Sequence, residues 1–211
     1  MATIHRTTMA PTKLELLTGW LPGRPWYRGT GAPQLARAGG FRLDDPAGKV
    51  GLEFMVVHDA DGTTYFTPLS YRGAALPGAE PGLLGTSEHG VLGTRWIYDA
   101  AYDPAAAAQL LAFLSGQAEA QHQSESDTPD PSVQRRWTLD AVTGVTPLRV
   151  TEDEAERTTV TLAADGGRQL ALDLVRVLQP ANDEQPGAGS VTAEWAGADG
   201  SPVRGTVVVV R

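Results

Sequence analysis

The segment GTSEHG (residues 85–90) sets a hydroxyl, a carboxylate and an imidazole side by side, at Ser87, Glu88 and His89. These are the groups of nucleophilic and general acid–base catalysis. A nucleophile elbow needs Gly-x-Ser-x-Gly after a strand, and His89 stands where the second glycine belongs. The segment reads instead as a helix entry, with Thr86 or Ser87 capping and Glu88 in the first turn. A hydrolase using Glu88, His89 or Asp99 is the least favoured alternative, and it requires a concave pocket holding a carboxylate of raised pKa.

Metal and phosphate chemistry find equally little support. The four histidines, His5, His58, His89 and His122, never stand at i, i+4 on a helix or at ligand spacing from a carboxylate. There is no cysteine, which excludes disulfides, thiolate catalysis and Cys-ligated zinc. Gly-x-Gly occurs in GTGAPQ (29–34) and GAGSVT (187–192), but neither links a strand to a helix. The two lysines, Lys13 and Lys49, lie outside both loops. The acidic run TEDEAER (151–157) lacks the glycine and spacing of a calcium loop and reads as a solvated turn. No catalytic, cofactor or metal residue is assigned.

An aromatic cluster offers more. Trp20, Trp26 and Tyr27 lie close together beside Arg24 and Arg28. Rings with guanidinium groups stack on sugars or on a protein surface. Arg24, Trp26, Tyr27 and Arg28 are therefore the candidate ligand or partner surface. The favoured competing assignment for Trp20 and Trp26 is packing, since each brings a large apolar payload to a small core. Trp96 and Tyr98 are likewise assigned to the core.

The elements that must position these groups fall into two parts. Residues 12–21 suggest a short helix with Leu14, Leu17 and Leu21 on one side, stopped by Pro22 and Gly23. Three strands, 34–43, 50–58 and 63–71, form an antiparallel meander with a tight turn at 59–62. After a Gly/Pro-rich stretch, Asp103 and Pro104 open a second helix whose Ala107, Leu110, Leu111 and Leu114 cover the meander. Residues 117–132 are polar, with little to bury, and are expected to lie over the surface without regular structure. Beyond them the chain reads as strands at 133–142, 145–151, 157–164, 168–178, 190–196 and 203–210, with a loop at 179–189. The last strand, GTVVVV, is buried on both faces or lies at a partner's edge. The expected class is α+β: a cap-like meander with helices (12–118), a linker (119–132) and a mostly antiparallel β-subdomain (133–211).

One residue resists this pattern. In LALDLVRVL the leucines take one strand face, and Asp173 falls among Ala171, Val175 and Val177 on the other. Either that face is only partly buried, or an arginine such as Arg168 or Arg176 reaches the carboxylate.

The formal charge of −8 argues against nucleic acid or an anionic membrane as partner. No apolar run approaches the roughly 18–20 residues of a membrane span. No secretory signal is read at the start, and a cytoplasmic protein is expected. The edges of the β-subdomain suit a protein partner or a homodimer.

At LTGWLPGRPWYRG (17–29) and YDAAYDP (98–104) the sequence resembles the N-terminal cap region of the actinobacterial maltokinases and their glucosamine-kinase relatives. The matching residues are Trp20-Leu21, Arg24-x-Trp26-Tyr27-x-Gly29 and Tyr98-Asp99-Ala100, in order over about 12–118 and more loosely over 133–178. The resemblance implies a kinase N-lobe-like arrangement, a cap followed by an intermediate β-subdomain. It also implies that the position of the family's phosphate-holding lysine falls on Asp173, whose charge repels a triphosphate. The 211 residues contain no His-x-Asp catalytic loop or Asp-Phe-Gly-like metal motif. The expectation is thus a non-catalytic accessory or interaction protein linked to α-glucan, trehalose or amino-sugar metabolism. Small-molecule sugar binding through Trp26, Tyr27 and the nearby arginines is the alternative.

Overall fold

The computed structural model describes residues 8–125, 127–140, 142, 144–152, 156–180 and 187–211. His5, the centre of the acidic run 151–157, Ala141 and most of the loop 179–189 lie outside them.

After a two-residue strand β1 (Met9–Ala10), helix α1 (Lys13–Trp20) opens on a capping box. Glu15 N–H donates to Thr12 Oγ1, and the Glu15 carboxylate accepts from Thr12 N–H at 2.7 Å. Leu17 and Leu21 are fully buried, and a 3₁₀ turn over Leu21–Gly23 ends the helix. The meander follows as β2 (Leu35–Asp44), β3 (Val50–Asp59) and β4 (Thr64–Arg72), close to the expected bounds.

The next segment differs from expectation. Residues 85–90 do not begin a helix. Residues 85–89 belong to β5 (Leu83–His89), which pairs antiparallel with β6 (Gly93–Asp99), Ser87 lying opposite Arg95. Local preference for a capped turn yields to cross-strand pairing, with β6 just along the chain and with β1, whose Ala10 lies opposite Glu88. Helix α2 (Pro104–Leu114) is as read. Asp103 Oδ1 caps Ala105 N–H at 2.9 Å, and Ala107, Leu110, Leu111 and Leu114 are buried.

The described residues of the polar segment 117–132, all but Ser126, are also more ordered than their composition suggests. Strand β7 (Gln121–His122) pairs with β2, and the segment folds into a small hairpin through His122 N–H to Thr128 O and Asp130 N–H to Ala120 O. Its polar groups find protein partners in place of water. Arg37 donates to Ser124 Oγ, and Arg42 donates to the carbonyls of His122 and Glu125.

The remaining strands are β8 (Gln134–Trp137), β9 (Thr146–Glu152), β10 (Arg157–Ala164), β11 (Arg168–Val175), β12 (Gly189–Ala196) and β13 (Pro202–Val210). Among the described residues all thirteen join one sheet, in the order β1-β5-β6-β4-β3-β2-β12-β13-β11-β10-β9, with β7 on β2 and β8 on β12. The two parts meet where Gly39 lies opposite Trp195. A Cβ at Gly39 would come within 3.1 Å of the Trp195 backbone, so glycine permits the approach.

A second junction closes a ring. Beyond β11 the chain returns to β4: Tyr65 bridges Val177, Phe66 N–H donates to Arg176 O, and Leu178 N–H donates to Thr64 O. Strands β4, β3, β2, β12, β13 and β11 therefore form a circuit of six, closed between β2 and β12 at the Gly39–Trp195 pair and between β4 and residues 176–178 just past β11. Inside it Phe41 stacks on Phe54 at 4.8 Å, and Phe54 on Phe66 at 6.4 Å, beneath α2. The opposite face of β3 and β4 (Met55, Val57, Tyr65, Leu69) packs with Leu17, Leu21 and Trp26 under α1. Strand β3 is thus buried on both sides, and so is β13 from Val207 to Val210, as its unbroken valines require.

Candidate functional site

Trp26 is the centre of an aromatic chain. Its ring lies 6.0 Å from those of Trp20 and Tyr65, and Tyr27 lies 5.9 Å from Tyr65. Only 1% of Trp26 is exposed, and its indole N–H has no hydrogen-bond partner. The Arg24 guanidinium covers Trp20 at 4.5 Å and meets Glu152 at 3.5 Å. Arg28 pairs with Glu156 at 2.5 Å, and its N–H donates to Tyr65 OH. Tyr27 OH donates to Gly31 O at 2.7 Å, and burial followed by the Asp59 charge raises its pKa. The surface of this group is therefore Arg24, Tyr27 and the exposed Arg28, with Trp20 half-buried and Trp26 beneath them. Both arginines reach carboxylates, Glu152 at the end of β9 and Glu156 just before β10, so the group also bridges the two parts of the chain.

Behind Trp26 lies a buried polar junction. Arg176, with no exposed surface, stands 5.0 Å over the Trp26 ring. Its Nε donates to Thr158 Oγ1 (2.8 Å), Nη1 to Phe66 O (3.3 Å) and Nη2 to Asp99 Oδ2 (2.5 Å). Ala101 N–H occupies the other oxygen of Asp99.

Asp173 is fully buried, and neither Arg168 nor Arg176 holds it. Odd separations of five and three residues put both arginines on the opposite strand face. Its partners come from the neighbouring strands. Thr159 Oγ1 donates to Oδ1 at 2.7 Å, Arg157 approaches Oδ2 at 3.6 Å, and Arg211 meets Oδ2 at 2.5 Å in a charge contact without hydrogen-bond alignment. In register, Asp173 faces Thr159 and Val209, which places Arg157 and Arg211 one diagonal step away.

The groups of the hydrolase alternative, Glu88, His89 and Asp99, do not converge on a pocket, and neither does Ser87. Buried Ser87 donates to Pro11 O at 2.7 Å, and Glu88 accepts from Thr94. His89 Nδ1 accepts from the N–H groups of Val91 and Leu92, and Asp99 is committed to Arg176. An apolar gap of about 10 Å³ between α2 and the sheet, lined by Phe54, Ala101, Leu110 and Leu174, is at the limit for one water. Among the described residues no three His, Asp or Glu side chains gather to hold a metal.

Sequence reading passed over Glu53, although it carries the same signal as Asp173: a carboxylate in the apolar run VGLEFMVV. It is 6% exposed and accepts from Lys13 Nζ (2.6 and 2.8 Å), Tyr71 OH (2.5 Å) and Gln123 Nε2 (2.6 Å). Burial, then the Glu53 charge, raises the Tyr71 pKa well above its usual value.

The fold and these groups define an α+β protein of mostly antiparallel sheet with two short helices. No described helix is long and apolar enough to cross a membrane. Residues 20–103, which span the aromatic group, the meander and the β5–β6 hairpin up to the cap of α2, match the family model of the maltokinase N-terminal cap domain. No curated protein matches the chain.

Proposed function

We propose that this is a non-catalytic, cytoplasmic accessory or interaction protein of α-glucan, trehalose or amino-sugar metabolism. The match of residues 20–103 to a domain named for the N-terminal cap of maltokinase carries the reading. Kinship at the level of a domain supports a metabolic neighbourhood more than an activity. In this reading residues 12–118 are the cap-like part, 119–132 the connection and 133–211 an intermediate-like part of a kinase N-lobe-like arrangement.

The interaction face is Arg24, Tyr27 and Arg28, supported from below by Trp26. The sheet edge is the weaker choice for a partner or a second copy. On the outer strand β9 the register slips at Leu148, a bulge beside Pro147, and bulges and prolines blunt an edge against pairing. A small-molecule sugar site at the same face is the second reading, favoured by the half-buried rings of Trp20 and Tyr27 beside arginines.

Affinity purification from the native cells, with the parent chain and an Arg24→Ala/Arg28→Ala variant, separates the two. Enrichment of a sugar-metabolising enzyme by the parent and its loss in the variant support the accessory role. Quenching of tryptophan fluorescence by maltose, trehalose or glucosamine, without such enrichment, favours the sugar site.

A further inference from the structure

Three elements converge on the buried carboxylate of Glu53. Lys13 comes from the first turn of α1, Tyr71 from β4, and Gln123 from the hairpin 120–130 that carries the chain from the cap-like part to β8. Lys13 and Gln123 share one oxygen, Oε1, at 2.8 and 2.6 Å. The Gln123 carbonyl oxygen is buried without a partner, so its amide is held by the bond to Glu53. Charge-assisted bonds of this kind are about twice as strong as neutral ones, and a buried carboxylate keeps its charge only while a cation and donors compensate it.

We propose that Glu53 is a coupling anchor, through which the seating of α1 and the seating of the 120–130 strap are one event. Removal of Lys13 leaves the buried carboxylate without its cation, free to move toward water. That movement weakens the bond that fixes Gln123. Loss of Gln123 withdraws a donor from the carboxylate and weakens its hold on Lys13. Coupling of this kind is reciprocal. The strap keeps its pairing of β7 with β2 and its bonds from Arg37 and Arg42, so it loosens without detaching. Because α1 runs directly into Trp20 and Arg24, a partner that shifts that face reaches the strap through Glu53. The coupling itself rests on the Glu53 geometry and stands whether or not the proposed function does.

Amide hydrogen exchange on the full chain tests it. His122 and Asp130 N–H, bonded to Thr128 O and Ala120 O, report on the strap, and Leu21 N–H, bonded to Leu17 O, reports on α1. Lys13→Met is expected to speed exchange at His122 and Asp130 by about tenfold or more, and Gln123→Leu to do the same at Leu21. Lys13→Arg keeps the charge and is expected to retain strap protection. Acceleration confined to the mutated element overturns the proposal, and so does a uniform rise that includes the β10–β11 amides. If Lys13→Met does not fold, Gln123→Leu decides alone: a faster Leu21 amide supports the coupling, and an unchanged one overturns it.

Discussion

Arg176 Nη2 lies 2.5 Å from Asp99 Oδ2, and neither side chain is more than 1% exposed. One comes from the strand that closes the ring and the other from the end of β6. Removing one member of a buried pair leaves an uncompensated charge, which costs about 3–5 kcal/mol. Arg176→Met is therefore expected to lower unfolding stability by that order in urea titration. Arg176→Met/Asp99→Asn is expected to cost less than the sum of the two single changes, because no lone charge remains. Additive losses would show that the pair is not the unit that matters.

Trp26 and Trp20 differ in exposure, and their truncations are expected to differ too. Trp26→Ala removes a 1%-exposed ring between Trp20 and Tyr65 and is expected to cost about 3–5 kcal/mol. Trp20→Ala, at a half-buried position, is expected to cost less. Two variants that melt like the parent yet lose a partner would reverse the assignment of both rings to packing.

The turn after β2 makes stability depend on acid. Burial pushes the Asp45 carboxyl up, but the N–H groups of Lys49, Ala47 and Val50 together hold it below its usual value. A carboxylate with a lowered folded pKa contributes stability that is present above its unfolded pKa, about 3.9, and is lost as pH falls through the folded value. Asp45→Ala is expected to lower the urea midpoint at pH 7 and to narrow its gap from the parent below about pH 4. A gap independent of pH would exclude Asp45 from the acid limb.

Titration calorimetry with Mg·ATP is expected to give no micromolar binding. A triphosphate needs a cation opposite it, and Asp173 already engages Arg157 and Arg211. Micromolar binding by the parent would overturn this. Binding gained by Asp173→Lys alone would reveal a kinase-like cleft with its charge reversed.

The legible parts of this fold are those decided by neighbours in sequence. The meander, the Asp103-capped helix and the 157–178 hairpin carry their signals in alternation, caps and Gly turns, and each stands within a few residues of where these place it. What could not be read depends on distant partners. Glu53 is satisfied by residues 40, 18 and 70 positions away. The strap reads as a linker because nothing local reveals that its Gln123 amide meets Glu53, its Ser124 hydroxyl Arg37, and its carbonyls Arg42. The strand at 83–89 reads as a helix entry because its cap-like Thr86, Ser87 and Glu88 outweigh the alternation of a hairpin with 93–99, and its other neighbours, Ala10 opposite Glu88 and Pro11 O bonded to Ser87, lie far off in sequence. At the candidate face, the residues were legible but their relations were not: no local pattern shows that Arg24 and Arg28 reach Glu152 and Glu156.

Ring closure has a kinetic consequence. Phe66 and Arg176, 110 residues apart, must meet before the circuit is complete, and long-range pairing of this kind slows folding. During synthesis, residues 64–66 of β4 wait as an unpaired edge until the chain has been made through Leu178 and beyond. Through that interval the nascent first part presents a sticky strand, and aggregation competes with closure.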